Sequence, residues 1–298
     1  MSRNIFLTGS SGFVGTNLRN IFASDFKISS YERFSTLSIH GDSVIHLAGK
    51  ADDLINNSSW HEYYEHNTEL TKSVFDAFLV SEAKVFITLS SVKAVADQFE
   101  GYLTEQDHPN PVTHYGKSKL LAEEYIFSKE IPEGKRVYVL RPCMIHGPGN
   151  KGNLNLLYRL VFKNIPWPLG AFENKRSFCS VDNLLFVIKE LIVREDIPSG
   201  VYHVADDEAL STNDVISLLA ESQNRKANIW KVSKGLIQSL AKLGDVFRLP
   251  LTTERLKKLT ESYVVSNQKI KTAIGKPLPV SAKNGLLKTF NSFHNSAQ

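Results

Sequence analysis

Cysteine is nearly absent from this chain of 298 residues, with Cys143 and Cys179 its two thiols. Two such residues give neither a metal-ligand spacing nor a disulfide framework, and the expectation is a reducing, cytoplasmic compartment with both thiols serving as packing residues. No stretch approaches the roughly 20 apolar residues that span a bilayer. Residues 2–7 show no charged-then-apolar leader. No five like charges stand in a row, and the net charge is only +4. That balance suits a small anionic substrate and argues against nucleic acid. Internal repeats and low-complexity stretches are also missing. What remains is an ordinary globular composition, 42% hydrophobic and 22% charged. It supports one large core, or a main domain with a smaller companion.

Short apolar runs alternate with helical spacing through the first half. Residues 5–8, 44–47, 85–89 and 137–140 read as buried strands, and 26–31 as a weaker one. Residues 14–22, 67–79 and 115–127 have helical spacing. Strands alternating with helices predict an α/β fold with a parallel, doubly wound sheet. Past Pro148-Gly149-Asn150 the pattern loosens, with a short strand at 201–204 and a helix-start signal at Ser211-Thr212-Asn213-Asp214. The boundary falls near residue 150, and the chain is free to cross it more than once.

Thr8-Gly9-Ser10-Ser11-Gly12-Phe13-Val14-Gly15 closes the first strand and opens the first helix. Glycines there allow a tight turn, close backbone approach to a pyrophosphate, and tight helix–strand packing. The helix N-terminus adds unpaired N–H groups and a partial positive charge. Strand, loop and helix in this order form a phosphate cradle, whereas a glycine triplet alone is weak evidence.

The spacing is GxxGxxG, and it resembles the opening of the extended short-chain dehydrogenases, the NAD-dependent epimerases and dehydratases of nucleotide sugars. Further segments match in order. His46-Leu47-Ala48-Gly49 resembles the motif beside the cofactor, and Asn67-Thr68-Glu69-Leu70-Thr71 the helix that follows. Leu89-Ser90-Ser91 is similar to the strand bearing the catalytic serine, and Tyr115-Gly116-Lys117-Ser118-Lys119 to the YxxxK motif. Arg141-Pro142, His146-Gly147-Pro148-Gly149 and the run from Arg176 to Leu184 complete the series. The resemblance implies a Rossmann-type domain over residues 1–150, rejoined around 177–205, and a smaller sugar-nucleotide domain over 151–298.

Tyr115 and Lys119 lie four apart and so share one helix face. A free tyrosine, with a pKa of about 10, is a poor base at neutral pH. A nearby ammonium favours its phenolate, which can then take a proton from a sugar hydroxyl. By resemblance Ser91 holds the same oxygen, with Ser90 as the alternative, and Lys119 also holds the nicotinamide ribose. The cofactor cradle implied is Gly9, Ser11, Gly12, Phe13, Val14 and Gly15, then Leu47, Ala48, Gly49, Asn67 and Pro142. The substrate residues implied are Lys50, Ser91, Lys93, Asn153 and Arg176. Arg176 is expected on the diphosphate because guanidinium binds phosphate oxygens bidentately; the competing reading is a surface ion pair. No metal is expected.

Several positions depart from the family pattern. Dehydratases resemble one another in an Asp-Glu pair after the serine, and here Val92 and Lys93 stand there, followed by Ala94-Val95-Ala96. A charged lysine cannot accept a C5 proton, which disfavours elimination. The stretch between Tyr31 and Val44 is short, leaving room for at most a vestigial strand at 36–39. Glu32 would read the ribose 2′-OH of NAD and Arg33 the 2′-phosphate of NADP, with a lean toward NADP through Arg33; an ordinary surface ion pair is the alternative. Met144 occupies the place of an asparagine that touches the nucleotide, and Asn153 is the substitute candidate. His46 reads as a satisfied core histidine. The amphipathic run 229–248 reads as packing in the smaller domain, with a membrane surface as the rival reading.

The preferred expectation is C4 epimerisation of a nucleotide-linked sugar, a UDP-hexose or UDP-N-acetylhexosamine. Pro168-Leu169-Gly170-Ala171 resembles members that serve bacterial surface polysaccharides. Close behind stands an NADPH-dependent reductase of a UDP-4-keto-6-deoxy-N-acetylhexosamine. A third reading is a silent cofactor-binding scaffold, against which Ser91, Tyr115 and Lys119 together argue. Helices at 67–79 and 115–127 resemble a pair that builds a four-helix homodimer interface, with Leu70, Val74, Phe78, Leu121 and Tyr125 as candidate contacts.

Overall fold

The computed structural model describes residues 3–31, 37–51, 58–150, 152–247 and 251–295. Its strands are β1 (Asn4–Thr8), β2 (Lys27–Ser30), β3 (Ser43–His46), β4 (Val85–Leu89), β5 (Tyr102–Leu103), β6 (Arg136–Pro142), β7 (Met144–His146), β8 (Phe178–Ser180), β9 (Gly200–Val204) and β10 (Val264–Val265). Helices α1 (Phe13–Phe22), α2 (Trp60–Tyr63), α3 (Leu70–Val80), α4 (His114–Phe127), α5 (Asn153–Phe162) and α6 (Val181–Val193) alternate with them. Then come α7 (Thr212–Glu221), α8 (Lys234–Phe247), α9 (Thr253–Thr260), α10 (Gln268–Ile274) and α11 (Ala282–Asn295).

Among the described residues the central sheet has six strands in the order β2-β1-β3-β4-β6-β9, all parallel. Such a sheet must be covered on both faces, which is why its strands read as nearly continuous apolar runs. The strand period of two divides those runs. Phe6, Val44, Phe86, Val137 and Val139 face one way, onto Val74, Phe75 and Phe78 of α3 and Ile126 of α4. Ile5, Leu7, Ile45, Ile87 and Leu140 face the other, onto α1, α6 and α10. The expected doubly wound α/β architecture is therefore present.

A separate apolar cluster lies beyond the sheet. Tyr158 of α5, Val215 and Leu219 of α7, Ile237 of α8, and Leu286 and Phe290 of α11 meet there with Trp167. Two small parallel pairs, β7 with β8 and β5 with β10, tie this region to the sheet's carboxyl side.

Two local expectations change. No strand forms at 37–39, while residue 36 lies outside the described residues; Leu37 and Ile39 instead pack as side chains beneath the sheet. The predicted helix at 67–79 begins earlier, at Trp60. Ser59 caps it, accepting from the Glu62 N–H while Glu62 accepts from the Ser59 N–H, a reciprocal capping box legible as Ser-x-x-Glu. Between α2 and α3 the chain makes a π-helical turn at Tyr64–Glu69, an irregularity found often at functional sites.

Candidate active site

The strand order reverses between β1 and β3, because the chain runs from β1 outward to β2 and then returns past β1 to β3. Ligands of open parallel sheets bind at such a switch point, outside the carboxyl ends. The glycine loop lies there. Gly9 has φ +73°, a left-handed conformation that disfavours side chains, and a β-carbon on it would stand 2.5 Å from the Ala48 nitrogen. At Gly15 a β-carbon would stand 2.2 Å from the Gly9 carbonyl oxygen. The two glycines thus let strand, loop and helix close on one another. Gly12 is the N-cap of α1, with no side-chain cap and no acid in the first turn. As at α3, α5 and α10, no side chain caps the first N–H groups of α1, and a helix start of this kind is where anions bind. Ser11, Phe13 and Val14 share this loop, and Asn17 ties it to the Pro148 carbonyl at 3.3 Å.

Beneath the loop runs a directional hydrogen-bond chain. Thr71 Oγ1 donates to the Asn67 carbonyl at 2.6 Å, so it must accept from His46 Nε2 at 3.0 Å. His46 Nδ1 then accepts from Thr8 Oγ1 at 2.7 Å, and Thr8 Oγ1 accepts from the Ala48 N–H at 3.3 Å. Burial, helped by the charge of Lys119, lowers the His46 pKa to about 3. His46 is a satisfied, neutral core histidine that connects the end of β1, ahead of the glycine loop, to the π-helical turn.

Asn67, on that turn, clamps two segments. Its side chain accepts from the Lys50 N–H at 2.7 Å and donates to the Lys50 carbonyl at 3.1 Å and to Ser118 Oγ at 3.0 Å. Ser118 passes the contact on to the Tyr115 carbonyl at 2.8 Å. The segment after β3 and helix α4 are thereby held together. A β-carbon on Gly49 would lie 2.8 Å from Asn67 Oδ1 and 3.3 Å from Lys119 Nζ, so Gly49, Asn67 and Lys119 converge.

Helix α4 begins under firm control. Thr113 caps it by accepting from the Gly116 N–H at 3.1 Å. Asp97 accepts from the N–H groups of Val112 and Thr113 and from Thr113 Oγ1, at 2.8–3.0 Å. Gly116 permits one further approach: a β-carbon there would lie 2.4 Å from the Lys93 carbonyl oxygen. The turn that follows β4, capped by Ser91 through the Lys93 N–H at 3.2 Å, can therefore press against the first turn of α4. Tyr115 stands on that first turn, its ring edge-on to Tyr63 at 5.9 Å. Lys119, one turn on, is buried and donates to the Leu89 carbonyl at 2.9 Å. Burial lowers its pKa to about 8 against the partly opposing charge of Glu123.

The two serines separate. Ser90 Oγ donates to Glu123, and Glu123 also accepts Arg141 Nε at 3.0 and 3.1 Å. This triad is 3–7% exposed and joins β4, α4 and β6. Both serines are buried, but the Ser90 hydroxyl is committed to Glu123, whereas Ser91 caps the turn facing α4.

The remaining predicted residues are more dispersed. Lys50 Nζ pairs with Glu62 at 3.3 Å. Pro142 ends β6, buried beside Val204 of β9. Arg176 donates to the Lys258 carbonyl at 2.9 Å and lies 3.8 Å from Glu261, and burial lowers its pKa. Its backbone pairs with Tyr263, whose hydroxyl reaches the Ala96 carbonyl at 2.6 Å, just beyond the Ser91 turn. Asn153 is the first residue of α5, and Glu32 and Arg33 lie outside the described residues. Sequence reasoning passed over Asp97, Glu123 and Tyr263, and met Arg141 only as part of a motif. All four act through contacts distant in sequence, Asp97 reaching Thr113 across 16 residues and Arg141 reaching Glu123 across 18.

Among the described residues no cluster suits a metal ion, and no helix is long and apolar enough to cross a membrane. The sequence model of the NAD dependent epimerase/dehydratase family matches residues 26–205. The UDP-glucose 4-epimerase of Vibrio cholerae is 29% identical over 325 residues, covering 98% of this chain and 96% of that protein. A second relative, from Escherichia coli O157:H7, is named N-acetyl-alpha-D-glucosaminyl-diphospho-ditrans,octacis-undecaprenol 4-epimerase. It is 28% identical over 249 residues, 76% of this chain and 74% of its own. Among solved structures, the UDP-glucuronic acid 4-epimerase from Bacillus cereus in complex with NAD superposes with a TM-score of 0.76 at 17% identity. That match covers 99% of this chain and 100% of that one, a likeness of fold.

Proposed function

The chain belongs to the NAD dependent epimerase/dehydratase family, whose members use NAD(P), and on that premise we propose that it epimerises C4 of a UDP-linked hexose or N-acetylhexosamine. One observation carries the reading. A glycine loop at the sheet's switch point, the Ser91 turn and the Tyr115–Lys119 face share the carboxyl edge, and the Asp-Glu pair of the dehydratases is replaced by Val92 and Lys93.

In this reading the sheet domain, residues 1–150 with the return at 177–205, binds the cofactor, and the second apolar cluster supports the sugar-binding part. Gly9, Ser11, Gly12, Phe13, Val14 and Gly15 cradle the pyrophosphate, and Leu47, Ala48, Gly49, Asn67 and Pro142 line the rest of the cofactor's path. Glu32 or Arg33 reads the adenosine ribose, Arg33 favouring NADP. When bound, the nicotinamide would supply the hydride acceptor for the sugar's C4 and the hydride source for its return. Tyr115 takes the O4 proton and later gives it back. Lys119, still largely protonated at neutral pH, keeps the phenolate accessible, and Ser91 holds the same oxygen. Arg176 exchanges its contacts with Lys258 and Glu261 for the diphosphate, and Lys50, Lys93 and Asn153 are the other substrate residues of this reading.

Two observations favour neighbouring readings. Only 12 residues separate β2 from β3, which leaves the adenine end lightly covered and suits a reductase that must exchange NADPH at each turnover. An exposed apolar stripe on α8 favours a polyprenol instead of a nucleoside as carrier of the diphosphate, as the name of the Escherichia coli relative describes for that protein. The deciding assay presents the enzyme with UDP-N-acetylhexosamine plus catalytic NAD(P)+, with the polyprenyl diphosphate sugar under the same conditions, and with a UDP-4-keto-6-deoxy sugar plus NADPH. C4 isomers without net cofactor consumption are expected, and Tyr115→Phe should lower their formation by about 10²–10⁴-fold. Stoichiometric loss of absorbance at 340 nm in the third mixture alone would overturn epimerisation.

A further inference from the structure

Helix α8 carries two apolar faces where one suffices. Ile237, Ala241 and Gly244, spaced four and three apart, are buried in the second core. Gly244 is required there, since a β-carbon would overlap the Leu251 carbonyl. Leu236, Leu240, Leu243 and Phe247 have the same helical spacing one position off, and they stand in solvent, Leu243 at 49% and Phe247 at 68% exposure. Trp230, shortly before the helix, is 55% exposed with its indole N–H bonded to Asn228. Packing in the smaller core therefore uses only part of this amphipathic run.

The charge of the same segment is equally lopsided. Residues 225–258 contain nine arginines and lysines against Asp245 and Glu254, a net of +7 in a chain whose total is +4. The rest of the chain is net negative. Within α8, Lys234 and Lys242 occupy the polar side, opposite the leucines.

We propose that this segment docks on an anionic lipid bilayer, with the leucine stripe and Trp230 entering the headgroup boundary and the basic residues meeting lipid phosphates. Leucines on one face of a helix with lysines on the other, preceded by an exposed tryptophan, is the chemistry of an interfacial segment. A second copy of the chain fits less well. A two-fold interface through this stripe would set each +7 segment against itself. Docking would bring the site to a lipid-borne diphosphate sugar; the inference rests on the polyprenol reading only for that purpose, and binding is measurable without turnover.

The test is vesicle flotation of the full chain with phosphatidylglycerol–phosphatidylcholine vesicles and with phosphatidylcholine alone. Binding is expected to the anionic vesicles and to fall at least tenfold at 1 M salt, where screening acts within about 3 Å. The double variant Leu240→Glu/Leu243→Glu should bind roughly a hundredfold more weakly, since each leucine taken from water contributes on the order of tenfold or more. It should also lose the lipid-induced blue shift of Trp230 emission, while its melting temperature and NAD(P) binding stay as in the parent. Absence of binding to anionic vesicles overturns the proposal, as does unchanged binding by the variant. A fall in particle mass in the lipid-free variant assigns the stripe to contacts between copies and also overturns it. Inactivity on every sugar with vesicle binding intact would refute the enzymatic reading and leave the docking surface standing.

Discussion

Neutralising Glu123 separates the two roles its carboxylate plays. It is 3% exposed and faces the guanidinium of Arg141, itself 5% exposed, through Nε at 3.0 and 3.1 Å. Glu123→Gln keeps the shape and removes the charge, leaving Arg141 buried without a counter-ion. Breaking such a pair from one side costs about 3–5 kcal/mol. At about 2.1 cal/mol/K of unfolding entropy per residue, that lowers the melting temperature of a chain this long by roughly 5–8 °C. Replacing both partners, Glu123→Met with Arg141→Met, should recover most of the loss, because an apolar pair of similar volume avoids the desolvation of both ions. The second role is electrostatic. Glu123 opposes the burial that lowers the Lys119 pKa to about 8. Without its charge Lys119 loses its proton at lower pH, and the alkaline limb of the rate profile moves down with it. Calorimetry on the three proteins and a pH–rate series on Glu123→Gln check both effects. A single variant that melts with the parent refutes the buried pair. A lowered melting point with an unmoved alkaline limb refutes the coupling to Lys119.

Gly116→Ala forces a methyl 2.4 Å from the Lys93 carbonyl and 2.9 Å from Pro111 Cβ. Overpacking of about 1–3 kcal/mol and at least a tenfold drop in turnover are expected, and unchanged kcat and stability would show that the turn and α4 do not need this contact. His46 is protonated in the unfolded chain below about 6.5 but in the fold only near 3, so stability falls as pH falls through that window. Urea melts of His46→Asn from pH 6.5 to 4.5 should show a slope shallower by up to about 1.4 kcal/mol per pH unit, and parallel slopes would contradict the neutral assignment. Assembly is predicted as a homodimer through the outer sides of α3 and α4. Val74 and Phe78 face the sheet, while Leu121 remains exposed. Light scattering should give twice the chain mass, with Leu121→Glu monomeric; a monomeric parent at micromolar concentration would end the idea.

The alternation of buried strands and helices was legible without coordinates because a parallel sheet covered on both faces leaves a continuous apolar signature at 5–8, 44–47, 85–89 and 137–140. So was the glycine-rich loop, whose glycines answer to local demands: a left-handed φ at Gly9 and backbone contact at Gly15. Helical spacing likewise put Tyr115 and Lys119 on one face. The tertiary structure alone decided the rest. Ser90 and Ser91 are adjacent and chemically identical in sequence, and only the Glu123–Arg141 pair brought up by α4 and β6 takes up the Ser90 hydroxyl and leaves Ser91 to cap the turn. The direction of the chain from Ala48 through Thr8, His46 and Thr71 to Asn67 depends on three segments meeting. Periodicity marked α8 as amphipathic, but which apolar residues found a core and which stayed in solvent depended on what packed against it. Local chemistry is written in neighbouring residues; partnership between distant ones exists only once the chain has folded.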